Sequence, residues 1–234
     1  MKPYRPIFHV LILVALLTAV SATSNYAQQK ESQADNKIVF QWTFGAIKQA
    51  ASGPQFEIIQ RDSVLKSGDQ IKFFLGLNGN IYVYLIYQSS QQDLIVLFPR
   101  RFKELGSEKQ IAGNYYIPDG DQWFELDKFD GLEKFYLLAS VDRLAELEKL
   151  VNAYENADKA DRIECGQKVV AEILRLRKKH RTFKTYAEKP VAVIGNMRGS
   201  AKTRAAGLKD LADHAVEFST TNFFSRTYTI DHQN

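Results

Sequence analysis

Cysteine is nearly absent: Cys165 is the only one in the 234 residues, so an oxidising compartment offers the chain no intramolecular disulfide. Cys165 is read as a small packed hydrophobe, the alternative being a disulfide-linked dimer with a second chain. Histidine is scarce too. Apart from His9, the histidines His180, His214 and His232 stand far apart and fit neither HExxH nor a related zinc spacing, so no metal site is expected. Asp119, Asp121, Asp127 and Asp130 lack the D-x-D-x-D-G order and distal Glu of a calcium loop and are read as turn residues. No G-x-S-x-G elbow occurs, and Cys165 falls in a predicted helix with no His nearby in sequence. Nucleophilic catalysis therefore has no local signature, which leaves only a site assembled from distant residues. The net charge is +4, a mild excess that does not point to nucleic acid as a partner. No cofactor is expected.

Long apolar runs are lacking except near the start, where Lys2 and Arg5 precede "IFHVLILVALLTAV", Ile7 to Val20. That run is about 14 residues against the roughly 20 that span a bilayer as a helix, which favours a cleaved secretory signal over an anchor. The expected signal is 1–27, cut after Ala22 or Ala27; no Cys stands at either site to carry a lipid. No transmembrane span is expected after cleavage, and the destination is periplasmic or secreted. The polar segment 28–36, "QQKESQADN", has little to bury and reads as a disordered leader. Residues 37–234 are then expected to form one domain.

A nucleotide cradle is the next absence. "VAVIGNMRGSAKTRAAG", 191–207, has the apolar run, the Gly-containing turn and the Lys-Thr of a phosphate loop. Set against G-x-x-x-x-G-K-[ST], Ala201 stands where the second Gly is required and Asn196 where the first is. The stretch is predicted to be a strand, Val191 to Ile194, followed by a basic turn with Arg198, Lys202 and Arg204.

What is present is strand pattern. "IVFQWTF" (38–44) and "QFEIIQ" (55–60) are β-branched and aromatic, with Gly53-Pro54 between them. Ile71, Phe73, Leu75 and Leu77 alternate with Lys72, Phe74 and Gly76, and Asn78-Gly79-Asn80 predicts a hairpin turn. "IYVYLIYQ" (81–88) is apolar on both faces and belongs inside a sheet. Further strands are predicted at 94–98, ended by Pro99, at 115–117, 123–126 and 133–140, and a closing strand within 222–233. The fold expected is mainly β, α+β overall: an antiparallel β-sandwich-like domain with an inserted α-helical hairpin.

The succession "SGDQIKFFLGLNGNIYVYLIYQSSQQDLIVLFP", "IAGNYYIPDGD" and "EKFYLLAS" resembles the bacterial exported domain-of-unknown-function family 4384. Gly68, Asp69, Gly79, Tyr82, Tyr84, Leu97, Phe98, Pro99, Gly113, Tyr116, Ile117, Pro118 and Ser140 carry the likeness. It implies the fold and export, and it brings no reaction or cofactor.

After Ser140 the chain turns helical. Leu144, Leu147, Val151 and Tyr154, then Val169, Ile173 and Leu176, follow helical spacing across a break at Asn156 to Asp158, with Asp158 as N-cap. The insertion is placed at about 141–183, its apolar stripe packed on the sheet, the alternative being a partner helix. Its second helix ends in Arg175, Arg177, Lys178, Lys179, His180, Arg181 and Lys184, more cations than a helix dipole uses. Candidate partner-binding residues are Arg177, Lys178, Lys179 and Arg181 on this basic end. A second set, Tyr82, Tyr84, Tyr115, Tyr116 and Trp123, would form an aromatic platform if exposed and sandwich core if not. The function expected is a non-catalytic binding or assembly module of the bacterial envelope, recognising a protein or envelope component; the alternative is an envelope hydrolase with a site built from distant residues.

Overall fold

Alternating apolar side chains build two facing sheets in the computed structural model, which describes residues 36–79, 81–102, 112–181, 187–190 and 210–234. The expected signal, nearly all of the leader and the 191–207 segment lie outside the described residues. Seven strands form one sheet: β1 (Lys37–Ala50), β2 (Gly53–Ile58), β4 (Gln70–Leu77), β7 (Gly113–Ile117), β8 (Phe124–Glu125), β10 (Ala187–Pro190) and β11 (Val216–Thr221). Their order is β10-β11-β1-β4-β7, with β2 on β1 and β8 on β4. The other sheet has five strands in the order β3 (Asp62–Lys66), β12 (Phe223–Gln233), β9 (Gly131–Ser140), β5 (Tyr82–Gln88) and β6 (Leu94–Phe98).

Period-two patterning decides what each face does. Phe40, Trp42 and Phe44 of β1 and Ile71, Phe73 and Leu75 of β4 meet Val83 and Leu85, Phe135 and Leu137, and Phe224, Tyr228 and Ile230 of the opposite sheet. Aromatic rings lock this interior: Phe44 lies 4.4 Å from Phe73 and 5.2 Å from Phe135, centroid to centroid. The fold is the mainly β, α+β sandwich expected. β5, apolar on both faces, lies between β9 and β6.

The second apolar face of the five-stranded sheet is covered by α1 (Ala145–Glu155) and α2 (Arg162–Lys179). Leu147, Val151, Tyr154, Val169, Ile173 and Leu176 pack there against Tyr82, Tyr84, Ile86, Tyr136 and Leu138. The free thiol of Cys165 is half-buried against the same cluster. On the far side of the molecule, Phe74 packs under Leu211 and Ala215, and β1 comes close to this cap at Gly45. A Cβ on Gly45 would lie 2.7 Å from Leu211 Cδ2 and 2.7 Å from the Phe56 ring. Gly45→Ala is therefore expected to lose about 1–3 kcal/mol through overpacking, read as a lower denaturant midpoint with an unchanged slope.

Three local expectations need correction. Asn78-Gly79-Asn80 does not join a hairpin: β4 and β5 belong to different sheets, and the positive φ of Gly79 (85°) serves a crossing from one sheet to the other. The true hairpin is β5–β6, where the Ser89 N–H donates to Asp93 O at 2.9 Å and the Asp93 N–H donates to Ser89 Oγ at 3.0 Å. α2 begins after Asp161 rather than Asp158, and neither carboxylate caps it; the Asp158 backbone carbonyl accepts from the Arg162 N–H at 3.0 Å instead. Finally, β3 and β11 are too short and too polar to read from periodicity, and β3 pairs with β12 in parallel. No helix among the described residues is long and apolar enough to cross a membrane.

Candidate functional site

The basic end of α2 reaches the five-stranded sheet where the sheet is incomplete. β12 pairs with β9 from Phe223 onward but with β3 only from Thr229, so 223–228 have no strand on their second edge among the described residues. The last turn of α2 lies over this edge. Arg177 Nη1 donates to Thr227 Oγ1 at 3.2 Å, and the His180 ring stacks on Phe223 with centroids 4.7 Å apart. Leu176 anchors the turn below, being 5% exposed and packed in the helix–sheet cluster.

Between helix end and strand runs a groove of about 720 Å³ whose polar lining includes Arg61, Arg177, Lys178, His180, Arg181 and Arg226. None of its described lining residues is acidic. Burial, and then the charges of Lys179 and Arg175, hold the His180 imidazole below its usual range, so it is neutral at neutral pH and the positive charge comes from arginine and lysine. Arg175 itself is engaged by Glu172, with Nε 2.6 Å and Nη2 2.7 Å from the two carboxylate oxygens. The Arg226 guanidinium sits 4.6 Å above the Phe218 ring and 5.9 Å from that of Phe224, which holds a cation at the groove wall over an aromatic floor. Exposed Leu174 gives the rim an apolar element. Such a surface favours an anion with several oxygens, because guanidinium groups bind phosphate and carboxylate through paired N–H donors.

Of the basic residues singled out from sequence, Arg177, Lys178 and Arg181 line the groove and Lys179 does not. Arg61 and Arg226 were missed. They are isolated cations in strand-like sequence; the parallel register of β3 on β12 sets Arg61, just before β3, beside β12, which itself carries Arg226. The aromatic platform is not formed. Tyr82 and Tyr84 are 7% and 0% exposed beneath the helices, Tyr115 packs on Phe98 in the sandwich, and Tyr116 and Trp123 pack around Phe74 on the other outer face. Strand alternation separates Tyr115 from Tyr116, and the division into two sheets separates both from Tyr82 and Tyr84.

Residues 64–143 match the family model described as Domain of unknown function (DUF4384), and this stretch is DUF4384-like. No curated protein and no solved structure matches the chain. The matched stretch runs from β3 to the residues just before α1, so α2 and β12, which form most of the groove, lie beyond it.

Proposed function

We propose that the chain is an exported binding module of the bacterial envelope, and that it holds a phosphate- or carboxylate-bearing envelope component in the groove between α2 and β12. One observation carries this reading: five permanent cations, Arg61, Arg177, Lys178, Arg181 and Arg226, converge on a groove with no acidic side chain among its described lining residues. A helix dipole accounts for cations in the last turn of α2, but not for Arg61, just before β3, or for Arg226 on β12. The signal-like N-terminal segment supports export, and the family likeness supports the same cellular setting without naming a ligand.

The test is retention of the purified protein on phosphatidylglycerol vesicles, with phosphatidylcholine vesicles as the neutral control. Replacing Arg177, Lys178 and Arg181 together by alanine is expected to weaken retention on the order of a hundredfold at low salt, at about 1 kcal/mol per charge near an anionic surface. Moderate salt should erase most of the difference, since it screens the wild-type protein more. Equal retention of the two proteins at low salt would count against the groove.

A further inference from the structure

At one end of the sandwich interior, three side chains distant in sequence meet in a line. Ser67 Oγ is 3.2 Å from His232 Nε2, and His232 Nδ1 is 3.2 Å from Glu133 Oε1. The residues are separated by 165 and 99 positions, so no local motif announces them. His232 is 1% and Glu133 4% exposed, whereas Ser67 is partly exposed on the turn between β3 and β4. We propose that Ser67, His232 and Glu133 form a nucleophile, base and positioning carboxylate that hydrolyse activated esters, a site separate from the α2–β12 groove and independent of its reading.

Each part has the geometry its role requires. β9 and β12 are adjacent, and register places Glu133 opposite Ile230 with His232 two residues further along. β3 runs parallel to β12, so the turn after Lys66 arrives beside His232. That turn is held firmly. Gly68 takes φ 86°, a conformation that suits glycine, and the Asp69 carboxylate accepts the Lys66 N–H and the Gln49 N–H, both at 2.8 Å. The Ser67 hydroxyl is therefore presented from a fixed backbone; it donates to Asn234 Oδ1 at 3.0 Å, and a rotation about the Cβ–Oγ bond turns its single proton to His232 Nε2 at 3.2 Å. Burial pushes the Glu133 carboxyl up and its hydrogen bonds from His232 and Tyr87 pull it back down; in the tautomer whose Nδ1–H donates to the carboxylate, His232 Nε2 is bare and takes the Ser67 proton.

In the reaction, Ser67 Oγ bonds to the acyl carbon as its proton passes to His232 Nε2. The bond from that carbon to the leaving oxygen then breaks, and the proton leaves with the alcohol. Water repeats the sequence at the acyl-serine, which releases the acid and restores Ser67. The turn also limits the substrate class. The N–H groups of Ser67, Gly68 and Asp69 already donate to Gln233 O, Leu126 O and Lys66 O, each at 2.9 Å, so they offer no cradle for an oxyanion. One such donor is worth about 10²–10³ in rate, which places amides out of reach and leaves esters with good leaving groups.

The test uses the whole chain and a fluorophosphonate probe, whose phosphorus bonds to an activated serine oxygen as fluoride departs. Mass spectrometry is expected to find the adduct on Ser67, and p-nitrophenyl acetate to be turned over. Ser67→Ala should lose both signals. Glu133→Gln keeps the volume and is expected to slow labelling by about tenfold or more, as loss of a positioning carboxylate slows other serine sites. A wild-type chain left unlabelled at Ser67 overturns the proposal whatever the variants do. Labelling of Glu133→Gln at the wild-type rate, with a melting curve showing it folded, also overturns it, because it reduces the line to a structural contact.

Discussion

Lys72→Met is expected to lower the free energy of unfolding by roughly 2–4 kcal/mol, seen as a lower denaturant midpoint and faster amide exchange across residues 118–122. Lys72 lies on the outer face of β4 yet is 0% exposed, because the loop after β7 folds over it. Its Nζ donates to the carbonyls of Pro118 at 2.6 Å and Gly120 at 2.8 Å, and to that of Gln122. The Trp123 ring stands 5.9 Å away as a further favourable neighbour. An ammonium here does what a small bound cation does in other loops: it gathers inward-facing carbonyls that no backbone N–H serves. Methionine matches the length but offers no donor, so the loop must open to water.

The same lysine makes stability depend on pH. Burial pulls its ammonium down to about 8, against the opposing charge of Asp121. An unfolded lysine titrates near 10.4, so between about 8 and about 10 the unfolded chain binds more protons and wild-type stability should rise with pH. That added stability is lost as pH falls through about 8. In Lys72→Met the rise should be missing. Tyr84, Tyr87 and Tyr228, whose hydroxyls burial pushes up, are common to both proteins and drop out of the comparison.

The second large effect is expected at Glu148, whose replacement by alanine should cost on the order of 2–4 kcal/mol. Its carboxylate is 6% exposed and accepts the Tyr84 hydroxyl at 2.7 Å. Arg143 grips it through Nε at 2.9 Å and Nη2 at 2.7 Å, and also donates to Phe102 O at 3.1 Å. The Tyr84 oxygen accepts the Leu144 N–H at 3.1 Å, at the start of α1. One carboxylate therefore ties sheet, helix and the segment after β6 together, and alanine takes the acceptor from the buried Tyr84 hydroxyl and the carboxylate from Arg143. Thermal unfolding checks the cost. A second readout is Cys165, whose modification by a thiol reagent should speed up as the helices loosen.

The elements most legible in the sequence are those in which one physical signal dominates. β4 and β5 follow from alternation and from apolar residues on both faces, and the helical stripe from Leu144 to Leu176 follows from its spacing. Lys72 is legible only as an outward-facing residue of β4, because its burial depends on a loop some fifty residues on, with |i−j| of 46 to its first carbonyl partner. Arg61 and Arg226 fail for the same reason, and so do Ser67, His232 and Glu133. A sequence window sees spacing within an element, whereas these groups are gathered by strand register. The sheet-to-sheet crossing at Gly79 misleads differently, since the turn chemistry of a crossing and of a hairpin are alike at the level of Gly and Asn.

The position of β12 between β3 and β9 bears on how the molecule assembles. β3 has no other partner in its sheet, and the contact joining their ends spans 165 residues. Until β12 arrives, Phe224, Tyr228 and Ile230 are missing from the interior and β3 has nothing to hold it. Closure of such distant segments is slow compared with local hairpin formation. An emerging chain with β5, β6 and β9 already made is thus still open along one whole side, and its five-stranded sheet is complete only when β12 slots between β9 and β3.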